Sequence, residues 1–126
     1  LVKSSIQGGA SIIGIASMTS FFGLPFVPGY GAGKGGLVQL IKTLSMKWAN
    51  EKIRVNAVAA GYIKTRMTEP IINSKEMSQD IINRIALKKF GNPLDVANAV
   101  LFLTSPAASY ITGETLRVDG GYSISS

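Results

Sequence analysis

Two hydrophobic periods alternate along the chain and predict strands separated by helices. The mostly apolar run at 10–16 suits a strand buried on both faces, and the run at 53–58, rich in β-branched residues, predicts a second strand. Between them the period lengthens to that of a helix, from Tyr30 to about Asn50. The residues predicted to share its buried face are Leu37, Ile41, Leu44 and Trp48.

The segments outside these runs are rich in turn residues. Gly8-Gly9 predicts the end of a short preceding helix, and the glycines and prolines over 17–29 predict a loop. The mixed, polar stretch 62–91 predicts short helices in a long excursion, and such an excursion inside a compact domain usually serves a ligand.

The last third of the chain contains a well-marked helix start. Asn92-Pro93-Leu94-Asp95 combines an N-cap residue, a proline in the first turn and an early acidic residue, and Ser105-Pro106 ends the helix. A third strand is predicted at 114–118, followed by a turn at Asp119-Gly120-Gly121. The residues predicted to form the apolar stripe of this helix are Val96, Ala97, Val100 and Leu101.

The order of these elements predicts the fold class. Strand, helix, strand, helix, strand is typical of a parallel sheet with right-handed crossovers, so we predict an α/β fold. Ligands of open parallel sheets bind beyond the carboxyl ends of the strands. Functional residues are therefore expected in the segments that follow those ends, at 17–36, 59–70 and 119–126.

The composition narrows the possible chemistry. The chain has 126 residues, enough for one domain, and it contains no Cys and no His. Disulfides are impossible, and we expect no metal site, because zinc, haem and iron–sulfur centres depend on those side chains. A cysteine nucleophile and any triad with a histidine base are excluded as well.

The net charge changes the picture little. The formal charge is +6, but the basic residues are scattered and their longest run is Lys88-Lys89, so we expect no nucleic-acid partner. No apolar stretch reaches the length of a membrane span and no signal peptide is visible, so we expect no membrane partner and a cytoplasmic location. The start at Leu1-Val2-Lys3, without methionine, predicts a fragment or a processed chain.

The glycine run at the start of the first long helix does not bind a dinucleotide in our interpretation. Gly31-Ala32-Gly33-Lys34-Gly35-Gly36 matches G-x-G-x-x-G, but it does not follow directly on a strand. The acidic residue at about the expected distance, Glu51, precedes the second strand instead of closing it. Because glycines cost helix stability, about 1 kcal/mol each, we interpret them as a helix start that lies close to another surface.

Tyr30 and Lys34 are the sharper candidates. They are four residues apart and so share one face of a helix. An ammonium favours the phenolate, with an attraction of about 4 kcal/mol at ~4 Å and an effective dielectric constant of ~20, so the pKa of Tyr30 moves toward working pH. Ser17, expected at the carboxyl end of the first strand, could bond a carbonyl oxygen while Tyr30 supplies the proton.

Together, these segments resemble the short-chain dehydrogenase/reductase family, most closely its 3-oxoacyl-carrier-protein reductase-like branch. The resemblance runs through nearly the whole chain and implies a partial Rossmann-like, doubly wound parallel sheet, made of the last three strands with their helices. The similar segments are 11–17, ending in the active-site serine; the Tyr-x-x-x-Lys motif at 30–34; the strand and turn at 53–61, with Ala60 where proline is usual; the nicotinamide segment 62–65; and the last strand and turn at 110–121.

The resemblance also implies roles for these residues. Ser17 would position the substrate carbonyl, Tyr30 would be the general acid or base, and Lys34 would lower the tyrosine pKa and hold the nicotinamide ribose. Gly61, Ile63 and Thr65 would surround the nicotinamide, and residues 66–90 would form a flap on the substrate side. The implied activity is hydride transfer between NAD or NADP and a small carbonyl or alcohol substrate.

The family's glycine-rich fingerprint, which lies in its first strand–helix unit, is absent from residues 1–126. We therefore expect a single partial domain, the catalytic half without the cofactor-binding half, that is inactive alone and leaves the choice between NAD and NADP open. We also expect homo-oligomers, through the exposed strand at 10–16 or through the helix and strand at 94–118. The alternative is a non-enzymatic relative that serves as a binding or assembly module.

Overall fold

The computed structural model describes residues 9–18 and 28–124. The side chains of Pro28 and Tyr30 are also outside the described part of the chain. The elements are β1 (Ala10–Ser17), α1 (Pro28–Trp48), β2 (Ile53–Ala60), α2 (Glu69–Asn73), α3 (Lys75–Arg84), α4 (Pro93–Thr104) and β3 (Thr115–Val118), with short 3-10 helices at Ala49–Glu51, Pro106–Ala108 and Tyr122–Ile124. The predicted alternation of strands and helices is confirmed.

The three strands form one parallel sheet in the order β1-β2-β3. The register pairs Ala10 with Ile53 and Ser17 with Ala60, and it pairs Ala60 with Val118 on the other side. The carboxyl ends of all three strands therefore lie side by side, as the fold-class prediction requires.

Helix α1 covers one face of the sheet. The alternate residues of β2 that face it are fully or almost fully buried, and Ile41 packs among them. The predicted stripe of α1 is confirmed, because Leu37, Leu44 and Trp48 pack against the same cluster. The β2 residues on this face are Ile53, Val55, Ala57 and Ala59.

Helix α4 packs against the sheet from the opposite face, and the predicted stripe of this helix is partly wrong. Ala97 is exposed, and Leu101 is 67% exposed, whereas Leu103 is buried. The buried and half-buried residues follow the three- and four-residue spacing of a helical face, and Ala97 and Leu101 each lie about 100° further round the helix. The residues on the sheet-facing side are Val96, Ala99, Val100 and Leu103.

Several predicted boundaries move. The loop predicted at 17–29 is wrong at both ends, because Ser17 is the last residue of β1 and Pro28-Gly29 already belongs to α1, where proline suits a first helical position. β2 continues two residues past its predicted end, because hydrogen bonds to β3 extend the ladder, and β3 begins one residue late. The predicted helix before Gly9 and the centre of the loop lie outside the described residues.

The predicted start of α4 is confirmed. The N–H of Asn92 donates to the Asp95 carboxylate at 2.8 Å, so the first turn is closed by an acidic side chain. The predicted end is confirmed as well, since Ser105 follows the last residue of the helix. None of the helices within the described residues has both the length and the hydropathy of a bilayer-spanning segment.

Candidate active site

The carboxyl edge of the sheet brings the ends of the strands together. Ser17 is paired with Ala60 across β1 and β2, and the N–H of Gly61 donates to the carbonyl of Val118 at 3.0 Å. A Cβ on Gly61 would lie 2.6 Å from the Cβ of Asp119. Only glycine therefore allows the chain leaving β2 to pass this close to the chain leaving β3.

Lys34 reaches this edge from α1. Its Nζ donates to the carbonyl oxygen of Ile15 at 2.9 Å, two residues before Ser17. An ammonium carries three protons, so the bond to Ile15 fixes the position of the charge with one of them. The structure thus brings Lys34 and Ser17, two of the three predicted catalytic residues, to the same end of β1.

Tyr30 lies in the first turn of α1, four residues before Lys34. That spacing places it on the same helix face, about 6 Å nearer the amino end of the helix. Its side chain is outside the described part of the chain. The helical setting of the predicted pair is confirmed, and the convergence of the phenol with Ser17 and Lys34 stays a prediction.

The segment after Gly61 is held by a single parallel bridge. The N–H of Lys64 donates to the carbonyl of Gly91 at 2.8 Å, and the N–H of Gly91 donates to the carbonyl of Tyr62 at 3.0 Å. Ile63, between the two bonds, is buried, and a Cβ on Gly91 would meet its Cδ1 at 2.6 Å. The bridge fixes Ile63, one of the predicted cofactor residues, relative to the chain before α4.

Thr65, another predicted cofactor residue, is exposed and is tied to a residue that sequence reasoning missed. Its N–H donates to Oγ1 of Thr68 at 2.9 Å, and the two hydroxyls lie 3.4 Å apart. Oγ1 of Thr68 in turn lies 2.6 Å from the carbonyl oxygen of Ile63. The available signal was a threonine three residues after Thr65, a spacing at which hydroxyls commonly bond nearby backbone.

An aromatic cluster packs next to this edge of the sheet. This packing was not predicted from the sequence. Met18, Ile85 and Tyr122 form a buried group against which Tyr62 packs, with the rings of Tyr62 and Tyr122 edge to face at 5.3 Å. The guanidinium of Arg84 lies 4.4 Å from the centre of the Tyr122 ring. The cluster joins the end of β1, the segment after β2, α3 and the C-terminal turn.

Burial is the main influence on the ionisation of Tyr62. Burial raises the pKa of Tyr62 above its ordinary value, and the neighbouring Tyr122 raises it further, while the charge of Arg84 opposes both. Tyr62 is therefore a neutral structural phenol at physiological pH, not a proton donor poised for catalysis.

The turn after β3 is closed by one carboxylate. Asp119 accepts the N–H of Gly121 at 2.9 Å and the N–H of Ser123 at 3.1 Å. The predicted turn at Asp119-Gly120-Gly121 is confirmed, and its carboxylate is committed to the backbone of the turn. Asp119 is also the residue that a side chain at Gly61 would meet, so the position of this turn restricts the path of the chain after β2.

A cavity of roughly 580 Å³ lies on the far side of Ile63, toward β3. Its lining includes Ile63 and the charged residues Lys89, Asp95 and Arg117, but neither Ser17 nor Lys34. Ser17 and Lys34 thus meet at the end of β1, outside this cavity.

The polar groups at the junction match those of a nicotinamide riboside. The N–H of Ile63 has no hydrogen-bond partner within the described part of the chain, and the Thr65 hydroxyl beside it is exposed. A backbone donor next to a hydroxyl suits a carboxamide, which both accepts and donates, and an ammonium suits ribose hydroxyls. The residues present thus fit the cofactor that the resemblance implies.

Comparison with known proteins places the chain among enzymes of one family. Residues 1–123 match the family model described as enoyl-(acyl carrier protein) reductase. The chain is 39% identical over 115 residues to the 3-oxoacyl-acyl-carrier-protein reductase of Thermotoga maritima, covering 91% of this chain and 46% of that protein. The chain spans about half the length of the curated relatives it matches.

Solved structures share the fold as well as the sequence. A gluconate 5-dehydrogenase from Burkholderia cenocepacia in complex with NADP and tartrate is 30% identical, with a TM-score of 0.89 over 95% of this chain and 47% of that one. A 4-hydroxyisoleucine dehydrogenase complexed with NADH is 31% identical, with a TM-score of 0.90 over 92% of this chain and 48% of that one.

Proposed function

The chain belongs to the short-chain dehydrogenase/reductase family, and from that premise we propose that it carries the catalytic half of a nicotinamide-dependent oxidoreductase. The reaction is hydride transfer between the cofactor and a small carbonyl or alcohol substrate. The observation that carries this proposal is the contact between the Lys34 ammonium and the carbonyl of Ile15, because it brings the ammonium to the strand end that bears Ser17.

In this proposal three side chains handle the substrate oxygen. The Ser17 hydroxyl donates a hydrogen bond to the carbonyl oxygen, and the Tyr30 phenol donates the proton that this oxygen gains during reduction. Lys34 stabilises the resulting phenolate, and in oxidation the phenolate takes the proton back. When bound, NADH or NADPH supplies the hydride that the carbonyl carbon receives. This hydride and the proton from Tyr30 are the two hydrogens that the substrate gains on reduction to the alcohol.

The cofactor is proposed to lie along the junction between β1 and the segment after β2. Lys34 would bond the nicotinamide ribose, and Ile63 and Thr65 would bond the carboxamide. Gly61, which has no side chain, would leave room for the nicotinamide ring. Structural neighbours bind NADP in one case and NADH in another. These neighbours support a nicotinamide cofactor, and the proposal includes both NAD and NADP.

The proposal extends to domain organisation. Residues 1–126 would form a single partial domain, and the binding site for the rest of the dinucleotide would come from an amino-terminal half. The share of its relatives that the chain covers, close to half, supports this. We expect the 126-residue chain alone to be inactive and to bind cofactor weakly. The cytoplasmic location stays a prediction of the sequence.

The proposal can be tested with a fusion protein. We would fuse the chain to the half of the Burkholderia cenocepacia gluconate 5-dehydrogenase that it does not cover, and follow NADPH and NADH oxidation with a sugar-acid ketone and a 3-oxoacyl thioester. We expect turnover by the fused protein and none by the chain alone. A folded fusion that binds neither cofactor would overturn the proposal, and turnover by the chain alone would overturn the partial-domain part.

A second candidate role, assembly, is favoured by exposed apolar residues. Ile15 on the edge strand β1 is 51% exposed, and Leu101 and Phe102 on α4 are 67% and 42% exposed. We propose that copies of the chain associate through one of these surfaces. Light scattering of the chain should show a mass above that of a monomer, and either Ile15→Lys or Leu101→Lys should reduce it. Monomers at micromolar concentration would contradict this.

A further inference from the structure

The hydroxyl of Thr68 is the centre of a small hydrogen-bond network in the segment after β2. Its Oγ1 lies 2.6 Å from the carbonyl oxygen of Ile63 and accepts the N–H of Thr65 at 2.9 Å. It also lies 3.2 Å from the carbonyl of Thr65 and 3.4 Å from the Thr65 hydroxyl. One side chain thus contacts Ile63 and Thr65, two of the three predicted cofactor residues that follow β2.

Counting protons resolves how these contacts are used. A hydroxyl has one proton and two acceptor sites. The proton goes to the carbonyl of Ile63, the shorter of the two carbonyl contacts, and one acceptor site takes the N–H of Thr65. The remaining site can accept the Thr65 hydroxyl only over 3.4 Å, a weak contact from which that hydroxyl is easily redirected to a ligand.

The network also sets the direction of the Ile63 backbone. The bridge to Gly91 uses the peptide groups on either side of Ile63, so its own N–H and C=O point away from Gly91. Thr68 holds that C=O. The neighbouring N–H, which has no partner among the described residues, is therefore held pointing to the same side.

We infer that Thr68 is a positioning residue for nicotinamide binding, an inference that rests on the proposed function. By holding the Ile63 carbonyl and the Thr65 N–H, it aligns the Ile63 N–H and the Thr65 hydroxyl as a matched donor and acceptor for a carboxamide. Thr68 itself does not touch the cofactor in this role. Its effect is specific to the nicotinamide end of the dinucleotide.

The first test uses the 126-residue chain without cofactor. Amide hydrogen exchange at Thr65, followed by NMR, should become at least tenfold faster in Thr68→Val, which keeps the shape but loses the hydroxyl. Thr68→Ser should restore slow exchange to within about twofold. Thr104→Val is the matched control, because the Thr104 hydroxyl donates within its own helix, to the carbonyl of Leu101, and bonds no other described residue. Unchanged exchange in Thr68→Val would overturn the inference.

The second test separates positioning from general damage. In the fused protein described above, Thr68→Val should weaken NADPH binding five- to tenfold, leave the binding of ADP-ribose, which lacks nicotinamide, unchanged, and be rescued by Thr68→Ser. Equal weakening of both ligands, or no weakening of either, would overturn the inference while leaving the proposed function standing. If the unmodified fusion binds neither ligand, the proposed function fails instead, and the exchange experiment alone decides whether Thr68 holds the segment.

Discussion

The two ends of the same sheet differ in how completely their backbone groups are hydrogen-bonded. Toward the amino end, side chains satisfy the backbone: Asn56 donates to the carbonyl of Ile111 and accepts the N–H of Glu114, both at 3.0 Å, and Thr112 accepts the N–H of Val55 at 3.0 Å. At the carboxyl end, Asp119 and Thr68 also bond nearby backbone, but the N–H of Ile63 has no partner within the described residues. The amino end therefore closes the fold, whereas the carboxyl end leaves a backbone donor that the proposed cofactor would use.

The largest effect should come from the carboxyl end and appear in turnover. Tyr30→Phe in the fused protein removes the proposed proton donor, so kcat should fall about 10²- to 10⁴-fold. Tyr110→Phe is the matched control, because Tyr110 is fully exposed. Retention of more than a tenth of the activity in Tyr30→Phe would break the proposed assignment of the acid.

The amino end should respond in the opposite way. Asn56→Ala removes a fully buried amide together with its two hydrogen bonds to the backbone of Ile111 and Glu114, so the free energy of unfolding should fall by about 3 kcal/mol. Asn98→Ala, at an exposed position on α4, should change it by less than about 0.5 kcal/mol. Urea denaturation of the chain measures both. Equal stability of the two variants would show that the amino end is not the closed one.

A pair of glycine variants sharpens the comparison. Gly61→Ala should cost about 2 kcal/mol, because the new methyl group meets the Cβ of Asp119. Gly36→Ala, in α1, should instead stabilise the chain by about 0.5–1 kcal/mol, because nothing lies within 4 Å of the added carbon and alanine favours a helix. Thermal unfolding of both variants gives the two signs. A stabilising Gly61→Ala would mean that the strand ends are further apart.

The smallest effect concerns the cluster beneath the site. The pKa of Tyr62 is raised by burial, so its contribution to stability is fully present below its ordinary value of 10.0 and is lost as pH rises through the higher folded value. Above about pH 10 the unfolding free energy of the unmodified chain should therefore fall more steeply than that of Tyr62→Phe. Identical slopes in alkaline urea titrations would argue that Tyr62 is not buried as described.

The features that were predicted correctly from the sequence are those that depend on the short hydrophobic periods of helices and strands. The stripe of α1 around Ile41 and the pairing of helix face and strand end that brings Lys34 near Ser17 both follow from spacing and strand direction. Thr68 was missed, and Asp119 was predicted only as part of a turn, because their hydrogen bonds depend on backbone groups brought near by turns that no local period encodes. The error on α4 at Leu101 has a similar origin, since a helix rich in apolar residues all round does not reveal which stripe faces the sheet.

The structure supports the interpretation that the glycine run is not a strand-to-helix phosphate loop, because the whole run lies inside α1. Gly33 and Gly36 have nothing within 4 Å of an added Cβ, so these two glycines pack against none of the described residues. If copies associate, these two positions would allow a close approach of backbones.

Eight consecutive residues of β1 are aligned one to one with eight of β2. Adding a single residue within either strand would turn every following side chain to the other face and displace Ser17 by about 3.3 Å along the sheet. The stretch from α2 to the end of α3 contains no strand, so it has no register to maintain with the sheet. A change of length in that stretch would therefore leave the register of β1 and β2, and with it the position of Ser17, unchanged.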